Sequence, residues 1–388
     1  MNKHFDIAII GGGASGLALL YAMHLQGVIA DYTIALIEPE SKDSNDRTWC
    51  FWSDESDPAW QMFSPCVSHK WDQVDSAYPS RQQMFPYHYA QIRSSDFYQF
   101  VRDALDSYPK IESYKAHVQS LETGEPHILN LDDERQLSAD LVFDSRPPQL
   151  NDPELIWQSF VGYRIKTEAL KFETDVCRLM DFEVAQEDKA LQFMYLLPTS
   201  RTEALIEFTR FGKAILKEEE SKPIITEYLK AMDIHNFEIL EKEVNKIPMS
   251  LSLNSTEKRH PEYCNYVPIG VRAGVVKAST GFAFKKIAQH SWDLAIAIKN
   301  QDTFPTPGHS RQHWVYDELL LNIFNKKNSP IVKLFVRLFK VHPIDRILRF
   351  IDEKSSFKED FIIMYKMPWS PFFWSIAKSI QKRLGARN

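Results

Sequence analysis

FDIAIIGGGASG, residues 5–16 of this chain, places a largely apolar run directly before a glycine-rich turn. A helical pattern follows, and its apolar residues share one face: Leu17, Leu20, Tyr21 and Leu25. A second apolar run, residues 33–37, ends in Glu38. This order predicts a strand, a turn, a helix and a second strand, which together form a dinucleotide-binding βαβ unit.

Three glycines of the turn fit the spacing G-x-G-x-x-G, and each has its own physical role. Gly11 permits the tight turn, Gly13 lets the backbone approach a pyrophosphate, and Gly16 lets the helix pack closely on the strand. The helix presents free N–H groups and the positive end of its dipole to phosphates. The alternative is a glycine-rich turn that binds no ligand.

Glu38 narrows the choice of dinucleotide. It lies 22 residues after Gly16, where a carboxylate can accept hydrogen bonds from ribose hydroxyls. The same charge would repel a 2′-phosphate, which argues against NADP at this site. FAD and NAD both remain, and the N-terminal position in a chain of 388 residues favours FAD, because the remaining residues can enclose it.

Composition places the chain among globular proteins. With 388 residues, 44% of them hydrophobic and 25% charged, it can bury a large core and form two structural parts. Its four cysteines form no C-x-x-C pair, so we expect no metal site and a reducing compartment. The net charge of −6 argues against nucleic acid as a partner. No signal peptide or uninterrupted apolar stretch of 18 residues occurs, which predicts a cytoplasmic location.

Further elements are expected along the chain from apolar periodicity and turn residues. Residues 43–79 resemble a long loop. Strands are expected at 87–92, 117–121, 128–131, 141–143 and within 157–211, where 193–197 and 204–209 form neighbours. Helices are expected at 94–107, 221–234, up to residue 300, and at 312–326, 331–339, 343–351 and 370–384.

Four further segments carry information about family. They are DRTWCFW at 46–52, FDSR at 143–146, LIEFT at 205–209, and PIGVRAG at 268–274, which continues to STGF at 279–282. With the N-terminal fingerprint, and in this order, they resemble the lycopene β-cyclase family, the flavoproteins that close the end rings of carotenoids. The resemblance runs from about residue 4 to about residue 300.

The resemblance implies an α/β fold with a Rossmann-type FAD-binding domain, a mixed-sheet substrate domain and a helical C-terminal part. The FAD-binding domain would be discontinuous and comprise residues 1–50, 85–150 and 255–300. Residues 51–84 and 151–254 would bind the substrate. Residues 301–388 would form the helical part, with a surface for contact with the membrane.

The resemblance also implies which residues bind FAD, and no metal is implied. They are Gly11, Gly13, Ala14, Ser15, Gly16, Glu38, Asp144, Arg146, Gly270, Arg272, Gly274, Thr280 and Gly281. In relatives the flavin works in its reduced form, with NAD(P)H as reductant and without net electron transfer.

Glu207 matches the first, essential carboxylate of an F-L-E-E-T-like family motif, which implies a catalytic role. From the pattern alone, a single Glu on a strand is usually exposed to solvent. Two positions depart from the family: Phe208 stands where many relatives have a second acid, and Ala278 where a proline is common. Glu207 is therefore the only carboxylate in its motif, which weakens any mechanism that needs two.

Ring closure of lycopene requires protonation of a terminal double bond, attack by the next double bond, and loss of a proton. Desolvation in an apolar strand would raise the pKa of Glu207, which could then carry the proton or stabilise the cation. Aromatic faces also stabilise a cation, although such residues more often pack in a core. This predicts a substrate pocket of Trp49, Phe51, Trp52, Tyr195 and Phe208. Glu207 and the reduced flavin both remain candidate proton donors.

Three functions are compatible with these features. The first is a lycopene β-cyclase that converts the ψ end groups of lycopene to β-ionone rings, yielding γ-carotene and β-carotene. The second is a redox flavoprotein acting on an apolar isoprenoid, such as an FAD-dependent monooxygenase or a prenyl reductase, because fold does not determine function. A non-catalytic carotenoid carrier is the third, and the intact fingerprint argues against it.

The C-terminal part is basic, with 12 Lys and Arg against 5 Asp and Glu over residues 332–388. These basic residues alternate with apolar and aromatic ones, a pattern typical of helices that bind a membrane surface. We therefore expect peripheral membrane association, since lycopene is held in the bilayer. The alternative is a set of helices packed on the core, with solvated basic faces.

Overall fold

The computed structural model describes residues 3–75, 81–187, 190–254, 265–326 and 329–385. Residues 255–264, with which the third expected segment of the FAD-binding domain begins, lie outside the described residues, and Cys264 is one of them. In the described part, three β-sheets and ten α-helices form a mixed α/β structure. We number the elements in chain order.

The strands in the described residues follow the expected order, with additions before Tyr87, at Ile111–Tyr114 and after Ala231. They are β1 (Lys3–Ile10), β2 (Ile34–Ile37), β3 (Thr48–Ser53), β4 (His69–Trp71), β5 (Gln73–Asp75), β6 (Gln82–Gln83), β7 (His88–Arg93), β8 (Ile111–Tyr114), β9 (Val118–Glu122), β10 (His127–Leu131), β11 (Gln136–Asp144), β12 (Ile156–Lys166), β13 (Val176–Asp181), β14 (Leu191–Pro198), β15 (Glu203–Gly212), β16 (Glu238–Met249) and β17 (Tyr266–Pro268).

The helices match every helix expected from the sequence and add two. They are α1 (Ala14–Leu25), α2 (Pro58–Phe63), α3 (Ser94–Leu105), α4 (Glu218–Ala231), α5 (Phe284–Asn300), α6 (Arg311–Phe324), α7 (Ile331–Val341), α8 (Ile344–Ile351), α9 (Phe357–Lys366) and α10 (Trp369–Gly385). The expected loop at residues 43–79 is wrong in part, because β3, α2, β4 and β5 lie within it.

The first sheet contains the predicted βαβ unit. Its strand order is β8-β2-β1-β11-β10-β9, with β17 beside β11, and β8, β2, β1 and β11 run parallel. The apolar face of α1, which includes Leu17, Leu20 and Tyr21, packs in one core cluster with residues of α3 and α5. The carboxyl ends of β1 and β11 therefore meet beside the N-terminus of α1, where dinucleotides bind in such folds.

The second sheet has the order β16-β12-β15-β14-β13-β5-β6 and is mainly antiparallel. The expected neighbours 193–197 and 204–209 are its strands β14 and β15. Side chains alternate between its two faces because successive residues of a strand point in opposite directions. One face carries Phe208 and packs against Ile225 and Leu229 of α4.

The opposite face of the second sheet has two kinds of neighbour. At β13 and β14 it shares a core cluster with the C-terminal helices, in which the Phe182 ring contacts both Phe193 and Phe335 of α7. The third sheet, of order β3-β7-β4, contributes Trp52, Trp71 and Tyr89 to the same cluster. The predicted boundary at residue 50 falls inside β3, and the division of the chain into domains stays a prediction.

The C-terminal helices are joined to the segment before α5 by buried ion pairs. Lys277 Nζ lies 3.1 Å from an Asp317 carboxylate oxygen and 3.3 Å from Glu353 Oε1, and these three side chains are less than a tenth exposed. Lys285 pairs with Asp57 at 2.8 Å and also with Asp352. Among the described helices, none combines the length and apolar character needed to cross a membrane.

Candidate active site

The glycine-rich turn adopts the geometry that its spacing predicts. Gly11 has a φ of +99°, and a Cβ there would lie 2.0 Å from Ser145 Oγ. A Cβ on Gly16 would lie 2.0 Å from the Gly11 carbonyl oxygen and 3.1 Å from Ile9 Cγ2. No larger residue fits these two positions without displacing the backbone or Ser145, so α1 packs directly on the end of β1.

Gly13 is different because its Cβ position is empty. It precedes α1 with a φ of −83°, and no protein atom lies within 4 Å of a Cβ built there. Gly13 also supplies no side-chain acceptor for the N–H groups of the first turn of α1. Backbone N–H groups beside open space at a helix N-terminus form an anion site, so the residues present fit a pyrophosphate.

Glu38 lies beside this turn, at the end of β2. Its Oε2 accepts a hydrogen bond of 2.7 Å from the Gly12 N–H, and its Oε1 accepts one of 3.0 Å from the Glu40 N–H. Lys42 Nζ is 4.0 Å from Oε1. The backbone therefore orients the carboxylate next to the predicted ribose position.

Asp144, Arg146 and Arg272 form one buried polar network. Asp144 is fully buried, and it pairs with Arg146 at 2.7 Å and with Arg272 at 3.6 Å. Tyr266 donates a hydrogen bond of 3.0 Å to the same carboxylate, and Arg272 Nε donates one of 2.7 Å to the Arg146 carbonyl. These predicted cofactor residues thus hold the end of β11 against the segment that begins at Gly270.

The later predicted glycines bring the chain back towards the fingerprint. Gly270, Gly274 and Gly281 have φ values of +62°, +81° and +76°. A Cβ on Gly270 would lie 2.4 Å from Ser15 Oγ, and one on Gly281 would lie 2.1 Å from Gln158 Oε1. Thr280 lies elsewhere, in a crevice between this segment and α6–α9.

A cavity of about 570 Å³ joins the fingerprint to the second sheet. At one end it is lined by Gly13, Ala14 and Ser15, and at the other by Glu207 and Glu243. Between them its wall is largely apolar and aromatic, with contributions from Trp49, Tyr89, Phe160, Tyr195, Leu205, Phe282, Phe284 and Ile287. The described residues contain no group of three or more His, Cys, Asp or Glu side chains arranged to bind a metal ion.

Glu207 extends from β15 into this cavity. The side chain of Glu207 is half-buried, and it lines the cavity. Thr209 donates it a hydrogen bond of 2.9 Å. Desolvation, together with the nearby charge of Glu243, raises the pKa of Glu207 to about 8, despite that hydrogen bond. Glu207 is therefore a protonated acid at neutral pH.

A second carboxylate, Glu243, lies in the same row of the sheet. Gly162 of β12 is directly opposite Glu207 of β15 on one side and Glu243 of β16 on the other. Tyr195 of β14 is opposite Glu207 and completes the row. Directly opposite residues point to one face, so both carboxylates project over Gly162, which has no side chain to separate them.

Glu243 has more hydrogen-bond donors than Glu207. Its Oε1 accepts a bond of 3.3 Å from the Thr48 N–H and one of 3.1 Å from Asn245 Nδ2. Burial raises the pKa of the Glu243 carboxyl, while these donors and the Arg47 charge act in the opposite direction. Sequence reasoning missed Glu243, because β16 was not recognised as a strand.

The predicted substrate pocket is divided by the structure. Trp49 and Tyr195 line the cavity with Glu207. Phe51 instead packs against Phe284 in the core beside α1, and Trp52 against Phe282, where it faces a separate crevice. Phe208 points to the α4 face of the second sheet, away from the cavity. Of the five predicted pocket residues, two therefore share the cavity with the carboxylate.

Comparison with solved structures confirms the predicted fold class. A geranylgeranyl bacteriochlorophyll reductase-like protein from Thermoplasma acidophilum superposes with a TM-score of 0.65, at 13% identity, over 98% of this chain and 100% of that chain. A variant of the halogenase PltM, solved in complex with FAD, has a TM-score of 0.58 at 10% identity, over 90% of this chain and 82% of its own. At these identities the likeness concerns the fold alone.

Sequence comparison identifies the family. A lycopene beta-cyclase from Paracoccus sp. (strain N81106 / MBIC 01143) is 23% identical over 288 residues, which cover 73% of this chain and 71% of the relative. The family model described as lycopene cyclase protein matches residues 6–377, nearly the whole chain. The chain therefore belongs to the lycopene cyclase family, as the resemblance of its motifs predicts.

Proposed function

We propose that this protein is a lycopene β-cyclase that converts the ψ end groups of lycopene to β-ionone rings, giving γ-carotene and β-carotene. The proposal rests on one observation: Glu207, whose pKa burial raises to about 8, faces a cavity that begins at the dinucleotide fingerprint. Membership of the lycopene cyclase family supports cyclisation as the reaction. Ring closure of lycopene would be an intramolecular rearrangement without net redox change. The carotenoid would occupy the apolar part of the cavity.

FAD is the proposed cofactor, in its reduced form and with NAD(P)H as reductant. The N-terminus of α1, with the open space at Gly13, would hold the pyrophosphate, and Glu38 would bind the ribose. The segment around Gly281 would lie beside the isoalloxazine, since Gly281 lines the same cavity. When bound, an anionic reduced flavin supplies negative charge that stabilises a cation.

Glu207 is the proposed proton donor. A carboxyl group with a pKa of about 8 holds its proton at neutral pH and can still release it to a double bond, whose protonation is the demanding step. Thr209 fixes the orientation of the carboxyl group. After transfer, the carboxylate lies close to the cation that it has created, and a desolvated anion stabilises such a charge strongly.

The remaining walls of the cavity would protect the cation from water. Trp49 and Tyr195 present aromatic faces to the same space as Glu207, and such faces attract cations. Leu205, which lies two residues before Glu207 on β15, adds apolar surface to the cavity. An apolar wall matters because a water molecule would otherwise add to the tertiary cation and give an alcohol.

Lycopene would reach the cavity from a membrane surface, to which the protein would bind peripherally on the cytoplasmic side. Helices α9 and α10 expose large apolar side chains in a four-residue spacing: Phe357, Phe361 and Tyr365, then Trp369 and Phe373. Helix faces with this composition beside Lys and Arg bind the interface of anionic bilayers.

The direct test is expression in a bacterium that accumulates lycopene, followed by chromatography of the pigments. We expect γ-carotene and β-carotene, with the mass of lycopene retained in each product. A purified assay with lycopene vesicles, FAD and NAD(P)H should need the reductant in catalytic amounts only. Unchanged lycopene in both assays would contradict the proposal.

A redox reaction on an apolar isoprenoid is the second candidate. The observation in its favour is the fold likeness to a reductase-like protein at a TM-score of 0.65. The same purified assay separates the two functions. Stoichiometric consumption of NAD(P)H, with a product heavier by two hydrogens or one oxygen, would support the redox flavoprotein instead.

A further inference from the structure

From the position of Glu243 we propose that this residue is the proton acceptor of the cyclisation, the second acid that the motif around Glu207 does not supply to the cavity. This inference rests on the proposed function and deepens it. Glu207 and Glu243 come from different strands that are 36 residues apart in sequence, and the sheet brings them together on one face. Both line the cavity.

Gly162 makes this arrangement possible. Neighbouring strands lie roughly 4.8 Å apart, so the Cα atoms of Glu207 and Glu243 are separated by roughly 10 Å across β12. A Cβ at position 162 would lie 3.7 Å from Glu207 Cγ and 3.2 Å from Leu205 Cδ1. The side chains of Leu205 and Glu207 therefore lie over Gly162, and a flat hydrocarbon ring would bind beside this position, where both carboxylates line the main cavity.

The hydrogen bonds around the two acids indicate different roles for them. Glu207 has one hydroxyl donor, from Thr209, whereas Glu243 has a backbone N–H and an amide N–H. Hydrogen bonds to the charged form favour ionisation, so the more strongly hydrogen-bonded group is the base. Other titratable groups around them are Tyr195, Cys50 and Tyr89, whose pKa values burial raises, so they stay neutral.

Glu243 also borders a second, polar cavity of about 290 Å³. The walls of this cavity include Arg93, Arg164 and Glu241, and it extends to Lys242, which is exposed. Glu243 and Thr48 line both cavities. A proton accepted by Glu243 can therefore leave towards water without crossing the apolar space.

The proposed step balances as follows. Glu207 transfers its carboxyl proton to the terminal double bond, and the electron pair of the next double bond forms the new ring bond. The ring carbon that bears the polyene chain then gives its proton to the Glu243 carboxylate, and the electrons of that C–H bond form the ring double bond. Glu243 releases the proton through the polar cavity, and Glu207 is reprotonated from water, so substrate and product are isomers.

The experiment compares the unmodified protein with Glu243→Gln and Glu241→Gln, all loaded with FAD. Glu241 is the matched control, because it lies on the same face of β16 but lines only the polar cavity, where it pairs with Arg93 and Arg164. We expect Glu243→Gln to lower the cyclisation rate about 10²–10⁴-fold, with FAD content unchanged. Its remaining products should include rings with a displaced double bond or hydrated end groups, since the cation loses its base.

A second measurement does not depend on turnover. Infrared titration of the carboxyl band should show Glu207 losing its proton at a lower pH in Glu243→Gln than in the unmodified protein, because a nearby negative charge is removed. Glu241→Gln should leave this titration unchanged. The titration tests the electrostatic coupling of the two acids, whereas a merely structural role for Glu243 would leave the ring type of the products unchanged.

The outcomes separate the two proposals. If the unmodified protein cyclises lycopene and Glu243→Gln does so at the same rate, with the same ring type, the proton-acceptor role is overturned and the proposed function stands. If the unmodified protein forms no ring, the proposed function fails, and the acceptor role fails with it. An unshifted Glu207 titration in Glu243→Gln would contradict the coupling of the two acids.

Discussion

The Glu38 carboxylate accepts a hydrogen bond of 2.7 Å from the backbone N–H of Gly12, so the acid that follows β2 is tied to the turn that follows β1. This bond fixes the acid at the place where a ribose would meet it. The pyrophosphate position beside Gly13 and the ribose position are thus built by two adjacent strands of one sheet. We therefore expect the retention of FAD to be sensitive to small changes in this turn.

Gly13→Val should abolish FAD retention without unfolding the protein. The backbone φ of −83° suits valine, and the side chain would enter space that no protein atom occupies. It would therefore compete only with the bound pyrophosphate. The measurement is flavin absorbance after gel filtration. Gly308→Val is the control, since its Cβ position is also empty, and it should retain FAD as the unmodified protein does.

Glu207→Gln should keep the fold and FAD but lower cyclisation by about 10²–10⁴-fold, the usual scale for one acid–base group. The amide is nearly isosteric and can still bond to Thr209, but it carries no transferable proton. Glu203→Gln on the same strand is the control, because Glu203 pairs with Arg164 at 2.8 Å outside the main cavity. Near-normal cyclisation by folded Glu207→Gln would falsify the donor assignment.

The pH profile should follow the ionisation of Glu207. Its pKa is raised to about 8, so the acid is protonated below this pH and loses its proton as the pH rises through it. A reaction that needs the protonated form should be fast near pH 7 and slow above pH 8.

The same pKa shift affects stability. The folded protein binds one more proton than the unfolded chain between about pH 4.5 and pH 8, so the free energy of unfolding falls as the pH rises through this range. Initial rates measured against pH check the first trend, and thermal midpoints measured against pH check the second. Both trends should disappear in Glu207→Gln.

Gly162→Ala should slow cyclisation without destabilising the sheet. Alanine is intrinsically better than glycine in a strand, by about 0.5–1 kcal/mol, and the Leu205 side chain can move to accept the methyl group. The methyl group would nevertheless displace the side chains of Leu205 and Glu207, which lie over position 162, and misplacing a reacting group by an ångström costs about 10²-fold in rate. Thermal midpoint and initial rate are the two measurements. A fast, stable Gly162→Ala protein would show that cyclisation does not depend on the placement of these side chains.

Membrane binding should depend on the exposed aromatic residues of α9 and α10. Phe361 is 59% exposed and Phe373 is 61% exposed. We expect the full protein to float with anionic vesicles at low salt, and the double variant Phe361→Ser/Phe373→Ser to float less while retaining FAD. Leu170→Ser is the control, because Leu170 is 61% exposed outside the C-terminal helices. If both variants floated equally, the result would contradict a contact between these helices and the membrane.

Most of the first sheet, apart from β8 and β17, could be predicted from sequence because its residues obey two local rules. Apolar strands buried on both sides give continuous apolar runs, and the glycine spacing marks the turn between β1 and α1. Strand β16 could not be predicted, since its pattern is inverted: Leu240 and Val244 are 38% and 49% exposed, whereas Glu241 and Glu243 point inward. Acids face inward here because cavities and cations, rather than an apolar core, lie on that side.

Phe208 shows a different limit of sequence reasoning. Its position next to Glu207 predicted a shared pocket, but adjacent residues of a strand point to opposite faces. Consequently a second acid at position 208 would point towards α4 rather than into the cavity. The absence of an acid at position 208 therefore removes no carboxylate from the cavity. The second carboxylate of the cavity is Glu243, which lies across the sheet on β16.

The ion pairs of Lys277 determine how far this chain can be shortened. Lys277 belongs to the segment that closes on the fingerprint, but its carboxylate partners, Asp317 and Glu353, lie after α5. A fragment ending near residue 300 would keep every glycine of the proposed nucleotide site, but it would lose both partners of Lys277 and expose apolar side chains that pack with these helices, such as Trp71 and Phe193. The C-terminal helices are thus an integral part of the folded unit, and we expect such a fragment to be unstable on its own.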